Sequence, residues 1–267
     1  MRDRHDLGGR VGLAVKVGLP ATFNTFLTYD RVSRTLTKVV ATATDSPSQH
    51  TAFPVIIAQP NGLHAMGAWS PAIMANPNRG YMAYLNFSSG ADPTTKWSCV
   101  FGETNITTGS VYSYSCPIAV GTVDEVVKAI DAYPVPGQTV TTMVSVYRFY
   151  KNLQHFMTRS YSEAASAGFN FETTGFHLFV NGGANRRALY RCFNPANGDH
   201  FVSTQSNCEG RRGEGILGYA STSQVAGLLP LYRFYKANTS DHLITVNYNE
   251  GSQGGYAYEG ILGYVAN

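Results

Sequence analysis

The stretch that decides the fold is "LYRFYKANTSDHLITV", from Leu231 to Val246. It predicts two strands joined by a polar turn. Closely similar text occurs twice upstream, as "LYRCFNPANGDHFVST" from Leu189 to Thr204 and as "VYRFYKNLQHFMT" from Val146 to Thr158. The sequence of one predicted hairpin therefore occurs three times in the second half of the chain.

Three kinds of residue recur in this half with one period. The first tyrosine of the motif, its histidine and a later glutamate each return after 42 to 45 residues. They are Tyr147, Tyr190 and Tyr232; His155, His200 and His242; and Glu172, Glu214 and Glu259. Three features at one period predict tandem structural repeats, which bury a common core only when they stack.

The repeats run over about 144–186, 187–228 and 229–267. Each reads as about four short β segments, separated by Gly, Asn and Asp turns. Three such repeats predict a closed β-trefoil, because closure removes exposed sheet edges. A three-bladed propeller is the less favoured alternative, since four or more blades are usual.

The pattern Y-R-[FY]-[YF], then N-x-x-[GS]-D-H-[FL], then Y/G-E-G-I-x-G-Y resembles a tandem-repeat domain of secreted proteins that is catalogued as a domain of unknown function. This resemblance covers a little under half of the chain and implies a lectin-like, surface-binding role. The first repeat departs from the pattern, because "KNLQHF" has no Asp before His155 and a shorter turn. A site built on Asp and His would be weakened there.

The candidate ligand-binding residues are polar and aromatic side chains of the repeats. They are Asp199, His200, Asn197, Asp241, His242, Asn238, His155, Tyr190 and Tyr232. In the functional hypothesis they hydrogen-bond sugar hydroxyls and cover a pyranose ring, and threefold repetition adds avidity. In the structural alternative, which we favour, the Arg of each repeat pairs with a repeated acid and the His caps a turn. In this alternative the ligand is recognised by the variable turns of the repeats, which are 152–154, 194–198 and 237–240. A three-histidine metal site is disfavoured, because the histidines are expected on the outside of the lobes.

The N-terminal half, residues 1–138, predicts a β-sandwich followed by one helix over 122–133. Thr122 and Glu125 form a capping box at the start of that helix. The stretch "PVPGQ" after it is a natural linker, so the second domain is expected over 139–267. The order of "LPATFNTFLTYD", "HAMGAWSP", "KWSCVFGE" and "CPIAVGTVDEVVKAI" resembles the later strands of galactose-mutarotase-like β-supersandwich domains. That resemblance implies more strands than this segment supplies, and a truncated sheet with an exposed edge would favour a homodimer.

A second candidate sugar site lies in the N-terminal half. His64 would hydrogen-bond a sugar there, and Trp69, Tyr81 and Trp97 would stack on it. The alternative, which we favour, is that both tryptophans are core residues of the sandwich.

Four cysteines and three sequons predict a secreted protein. The most local of three possible pairings joins Cys99 to Cys116 and Cys192 to Cys208; four buried free thiols are the alternative. The sequons are at Asn86, Asn105 and Asn238. The net charge of +3 is too small to predict nucleic-acid binding, and no apolar stretch approaches the ~20 residues of a membrane span.

No nucleophile elbow, zinc-protease motif or phosphate-binding loop appears, and no cofactor is implied. Isolated acids such as Glu103, Glu163 and Glu172 could form the catalytic carboxylate pair of a glycosidase only if the fold brings two of them together. The function that the sequence favours is non-catalytic binding of glycans or polysaccharides by the repeats. The alternatives are a fragment of a polysaccharide-active enzyme, with the repeats as its targeting module, and a structural or adhesion protein.

Overall fold

The structure is a computed structural model that describes residues 11–44, 46–87, 93–103, 108–109, 111, 113–137 and 143–267. The chain divides into two compact units, residues 1–140 (unit 1) and residues 141–267 (unit 2). The predicted boundary between residues 138 and 139 and the sequon at Asn105 lie outside the described residues. Antiparallel strands dominate both units, which confirms the all-β class. Among the described helices, none is both long and apolar enough to cross a bilayer.

The described part of unit 1 contains nine strands in two antiparallel sheets and two helices. The strands are β1 (Val11–Pro20), β2 (Thr25–Asp30), β3 (Thr35–Val39), β4 (His50–Thr51), β5 (Val55–Ala58), β6 (Ala65–Ala68), β7 (Gly80–Asn86), β8 (Thr94–Glu103) and β9 (Ile118–Gly121); the helices are α1 (Pro71–Ala75) and α2 (Val123–Ala132), and 3-10 turns span Pro47–Gln49 and Pro77–Arg79. One sheet has the order β1-β8-β7-β4, and the other has the order β3-β2-β5-β6-β9.

The two sheets of unit 1 share one buried core. Phe26 and Ile57 of the five-stranded sheet lie in the same apolar cluster as Met82 and Trp97 of the four-stranded sheet. All four side chains are at most 3% exposed. Residues that alternate along each strand thus bury one face against the other sheet, as in a β-sandwich.

The outer face of the five-stranded sheet is covered by α2. Its N-terminus has the capping box that the sequence predicts: Glu125 N donates to Thr122 Oγ1 (3.2 Å), and Thr122 N donates to Glu125 Oε2 (2.8 Å). The helix packs closely, because a Cβ on Gly67 of β6 would overlap Cγ1 of Val126. At the other end, Asp131 accepts a hydrogen bond from the hydroxyl of Tyr29 (2.9 Å).

Unit 2 repeats one arrangement three times: a hairpin, a short helical turn and a long third strand. We call the repeats lobe 1, lobe 2 and lobe 3. Lobe 1 contains β10 (Met143–Lys151), β11 (Gln154–Thr158), α3 (Tyr161–Ser166) and β12 (Asn170–Phe179); lobe 2 contains β13 (Arg186–Asn194), β14 (Asp199–Ser203), a 3-10 turn (Cys208–Gly210) and β15 (Arg212–Ser221); lobe 3 contains β16 (Leu229–Lys236), β17 (Asp241–Thr245), α4 (Tyr248–Gln253) and β18 (Ala257–Val265).

Each lobe thus has three strands in the described structure, where the sequence predicts about four. The helical turn occupies the place of the missing strand. The sequence also predicts a single helix, whereas four α-helices are described, and α1, α3 and α4 have only five or six residues each. Elements of that length are too short to show a helical hydrophobic period.

The three lobes are joined in a ring through the ends of their third strands. β12 pairs with β15 at Phe179 and Tyr219, and β15 pairs with β18 at Ser221 and Tyr264. A bridge between His177 and Ala266 connects lobe 1 to lobe 3 and closes the ring. Each lobe contributes to one shared core, whose buried residues are Val146, Met157, Phe176, Leu178, Leu189, Val202, Leu217, Ala220, Leu231, Ile244, Leu262 and Val265.

The close approach of the third strands requires glycine in two lobes. A Cβ on Gly218 would lie 2.7 Å from Cβ of Leu178, and a Cβ on Gly263 would lie 2.6 Å from Cβ of Ala220. In lobe 1 the equivalent position is Phe176, whose fully buried ring belongs to the shared core. The third strands of the lobes therefore have the same arrangement but pack with different side chains at the centre of unit 2.

Both predicted disulfides are present, Cys99–Cys116 and Cys192–Cys208. The second has a structural counterpart in the other lobes. Cys192 stands at the position of Phe149 in lobe 1 and Phe234 in lobe 3, and the two phenylalanines pack in clusters of aromatic rings with centroids 5.2–5.5 Å apart. Lobe 2 thus contains a buried disulfide where its neighbours contain an aromatic cluster.

Candidate functional site

A buried carboxylate of one lobe binds a histidine of the next at two of the three junctions between lobes. At the junction of lobes 3 and 1 (junction 3/1), Asp241 Oδ2 lies 2.7 Å from His155 Nδ1, and its Oδ1 accepts a hydrogen bond from the backbone N–H of His155 (2.7 Å). At the junction of lobes 2 and 3 (junction 2/3), Asp199 Oδ2 lies 2.6 Å from His242 Nδ1. Asp199 and Asp241 are at most 1% exposed, so these contacts connect the lobes in the interior.

The junction of lobes 1 and 2 (junction 1/2) lacks this contact. Gln154 stands where the other lobes have Asp, and its Nε2 donates to the carbonyl oxygen of Thr239 (2.7 Å). Its buried Oε1 has no hydrogen-bond partner among the described residues. His200 instead places Nδ1 3.1 Å from Glu214 Oε2 of its own lobe, and this hydrogen bond lowers the pKa of Glu214.

We expect Gln154→Asp to raise the free energy of unfolding of unit 2 by less than about 1 kcal/mol, because the gain of a carboxylate partner for His200 is partly offset by loss of the hydrogen bond from Gln154 to Thr239. Amide hydrogen exchange of unit 2 in the full chain measures this. Gln154→Asn is the control, since it has the size of Asp without the charge. A Gln154→Asp protein less stable than Gln154→Asn would contradict the prediction.

A second set of contacts crosses each junction through the arginines of the motif. Each arginine binds the glutamate of its own third strand and a glutamate from the helical turn of the preceding lobe. The sets are Arg148 with Glu172 and Glu250, Arg191 with Glu214 and Glu163, and Arg233 with Glu259 and Glu209. Every junction is therefore assembled from residues of two lobes.

At junction 2/3 these contacts form the wall of a concave pocket with a volume of about 260 Å³. Its lining residues are Asn194, Asn197, Asp199, Phe201, Glu209, Arg211, Arg233, Tyr235, His242 and Glu259. The set combines amides, carboxylates, guanidinium groups and aromatic rings. Such a mixture can hydrogen-bond a polyhydroxylated ligand and contact its apolar face.

The charges of the pocket wall are largely paired with one another. Arg233 binds Glu209 through Nη1 (2.6 Å) and Nη2 (3.0 Å) and binds Glu259 through Nε (2.7 Å). The hydrogen bonds from Arg233 lower the pKa of Glu209. Burial opposes a charge on His242, but its hydrogen bonds to Asp199 and Glu259 prevail and raise its pKa.

The predicted ligand-binding residues fall into three groups. Asn197, Asp199 and His242 line the pocket at junction 2/3. Asp241 and His155 lie at junction 3/1, and His200 lies at junction 1/2. The arginines pair with repeated glutamates, as the structural alternative expects. The histidines do not cap turns as that alternative expects, because His155 and His242 bind a buried carboxylate of the preceding lobe and His200 binds Glu214.

The predicted tyrosines and Asn238 are separate from the pocket. The partly buried Tyr232 packs edge-on against the exposed Tyr248 of lobe 3, with ring centroids 5.3 Å apart, and Tyr190 packs on the Cys192–Cys208 disulfide. Asn238 lies exposed in the turn of lobe 3.

The four candidates of unit 1 do not form one site. Trp69 and Trp97 are 3% and 0% exposed, which agrees with the core alternative. Tyr81 stacks on His50, with centroids 3.8 Å apart. His64 is exposed on a mainly apolar pocket of about 200 Å³, and its Nδ1 lies 3.1 Å from Gln59 Oε1.

Sequence reasoning did not recognise the glutamates of the helical turns as a repeated feature, and it named Glu163 only as an isolated acid. Glu163, Glu209 and Glu250 are a fourth repeated feature, each two or three residues after a Ser or Asn N-cap. All three accept a hydrogen bond from a hydroxyl at the end of the preceding strand: Thr158 donates to Glu163 (2.5 Å), Ser203 donates to Glu209 (2.7 Å), and Thr245 donates to Glu250. This recurring Ser/Asn-to-Glu spacing could have identified them.

Comparison with curated proteins and with solved structures gave no match. A family comparison matched residues 145–266, which include most of unit 2. This confirms, at the level of an uncharacterised domain, the resemblance noted in the sequence. Residues 145–266 match the model of a family that is described as a domain of unknown function (DUF5648).

Proposed function

We propose that unit 2 binds carbohydrate without catalysis, through the pocket at junction 2/3. The observation that carries the proposal is the composition of this concave site: amides of Asn194 and Asn197, the ring of Tyr235 and charged side chains around about 260 Å³. Small-molecule sites usually enclose roughly 300–1,000 Å³. The pocket is slightly smaller than that range, which suits a single sugar ring at the end of a glycan.

The state of His242 supports binding rather than catalysis. Its Nδ1 is bonded to Asp199, and its Nε2 lies 3.3 Å from Nη2 of Arg233 and 3.4 Å from Glu259 Oε2. A general base needs a nitrogen that can reach substrate. With both nitrogens occupied by the wall of the pocket, His242 shapes the site instead of transferring protons in it.

The wider setting of the proposal is a secreted, trefoil-like lectin. The ring of three lobes supports this description, although each lobe has three strands and a helical turn. The two disulfides support an oxidising, extracellular location, because such bonds persist there and are rare in the cytosol.

Binding of the full-length protein to a glycan array tests the proposal. We expect at least one class of glycan to bind above background and Tyr235→Ala to lower that binding about tenfold, because stacking of the sugar on an aromatic ring is lost. Arg187→Ala is the control, since Arg187 is exposed and outside the pocket. An array without any bound glycan, or equal losses in both variants, would overturn the proposal.

A further inference from the structure

The three junctions also differ at the position three residues before the glutamate of each third strand. That position is Phe169 in lobe 1, Arg211 in lobe 2 and Tyr256 in lobe 3. The three positions are equivalent by strand register, because each directly precedes the residue that pairs with Tyr150, Phe193 or Tyr235. The turn before the position differs: lobes 1 and 3 have a short α-helix there, and lobe 2 has a 3-10 turn. The side chain at this position therefore decides what occupies the space beside the conserved carboxylates.

In two lobes an aromatic ring occupies the position. At junction 3/1 the hydroxyl of Tyr256 donates to Asp241 Oδ2 (2.6 Å), and its ring lies 6.3 Å from that of His155. In lobe 1 the ring of Phe169 packs on Phe156, with centroids 5.1 Å apart. Both rings cover the site that corresponds to the pocket at junction 2/3.

In lobe 2 the same position carries Arg211, and the pocket is open. Arg211 lines the cavity together with Asp199, the counterpart of Asp241. Its side chain is exposed and has no hydrogen-bond or ion-pair partner among the residues that the structure describes. A flexible guanidinium thus stands where a fixed aromatic ring would fill the space.

The charge that remains available in this pocket is positive. Glu209 and Glu259 are bound to Arg233, and Asp199 is bound to His242. Arg211 faces the cavity without such a partner, next to Asn197 and Tyr235. A planar guanidinium binds a carboxylate through two parallel hydrogen bonds, and the amide and phenol can bind ring hydroxyls.

We propose that unit 2 binds its ligand at one place, the pocket of junction 2/3, and that this site takes an acidic sugar whose carboxylate binds Arg211. A larger cavity of about 390 Å³ at junction 1/2 shares only the Arg–Glu set with this pocket and is otherwise lined by different positions of the repeat, so it is not its counterpart. The proposal rests on the proposed function and makes it narrower. It assigns one site per chain, whereas the sequence allows a site in each repeat, weakened in the first. The carboxylate sits on Arg211, and the pyranose ring lies against Tyr235.

Titration calorimetry of the full-length protein with two matched oligosaccharides tests the proposal. One ends in glucuronate and the other in glucose. We expect one site per chain and about tenfold tighter binding of the glucuronate form, because a charged hydrogen-bonded pair is added.

Arg211→Tyr is designed to copy the closed geometry of lobe 3: the new phenol hydroxyl would donate to Asp199, as that of Tyr256 does to Asp241. This variant should abolish binding of the glucuronate form. Arg187→Tyr is the matched control and should keep the affinity of the unsubstituted protein. Arg211→Ala gives a second variant that needs no space in the pocket, and it should lose the preference for glucuronate over glucose.

Equal affinity for both oligosaccharides, three sites per chain, or unchanged binding by Arg211→Tyr and Arg211→Ala would each overturn this inference while leaving carbohydrate binding intact. Binding of neither oligosaccharide, together with an empty glycan array, would overturn the proposed function as well.

Discussion

Asp241→Ala is expected to lower the free energy of unfolding of unit 2 by about 3 kcal/mol, because it leaves several buried hydrogen-bond donors without their charged acceptor. The carboxylate is 0% exposed and accepts hydrogen bonds from the backbone N–H of His155 and from the hydroxyl of Tyr256. Burial alone would raise its pKa, but the hydrogen bonds from His155 and Tyr256 prevail and lower it. Without Asp241, these donors are left buried at the junction between lobes 3 and 1.

The location of the tryptophans allows this effect to be assigned to unit 2. Both tryptophans of the chain, Trp69 and Trp97, lie in unit 1. Asp241→Ala should therefore accelerate amide exchange in lobes 1 and 3 and leave the denaturation midpoint seen by tryptophan fluorescence unchanged. Gln154→Ala at the equivalent position of lobe 1 is the control and should cost less than about 1 kcal/mol, because no carboxylate is lost there. Equal costs for the two variants would refute the structural role of the Asp–His contact.

The second large effect is expected from the double variant Cys192→Ala and Cys208→Ala, which should lower the free energy of unfolding of unit 2 by about 3 kcal/mol. The disulfide closes a loop with a sequence separation of 16 residues, and the loss of this constraint favours the unfolded chain. Both sulfurs are buried at the centre of lobe 2. Since this lobe lacks the aromatic cluster of its neighbours, little other packing replaces the bond.

The disulfide of unit 1 offers a matched comparison, because Cys99 and Cys116 are separated by 17 residues. Its removal should shift the tryptophan fluorescence transition and spare amide exchange in lobe 2. Removal of Cys192–Cys208 should produce the reverse pattern. Unchanged amide exchange of lobe 2 in both double variants would show that the Cys192–Cys208 disulfide does not stabilise that lobe.

The repeats, the capping box of α2 and the cysteine pairing could be predicted from the sequence because each depends on residues close together in the chain or on a strict period. The strands of unit 1 were recognisable for the same reason, through alternation. The helical turns were not, since α3 and α4 have six residues each and are marked only by their N-caps.

The partners across the junctions could not be predicted. Periodicity shows that Asp199 and Asp241 are equivalent, but it does not show that each binds the histidine of another lobe. The open pocket depends on a single substitution, Arg211 in place of an aromatic residue, and its meaning is clear only once Tyr256 is seen to cover Asp241. The position of a residue in its repeat shows which residues are equivalent. Which groups those residues bind depends on contacts between repeats.

Because every junction combines residues from two lobes, its recognition properties do not belong to any one repeat. The pocket at junction 2/3 takes Arg211 from lobe 2 and Tyr235 from lobe 3. Duplication, loss or exchange of one repeat by recombination would therefore alter two neighbouring junctions in a single event. If the proposed function holds, such a ring would acquire new ligand preferences when whole repeats are reassorted, without point substitutions inside any of them.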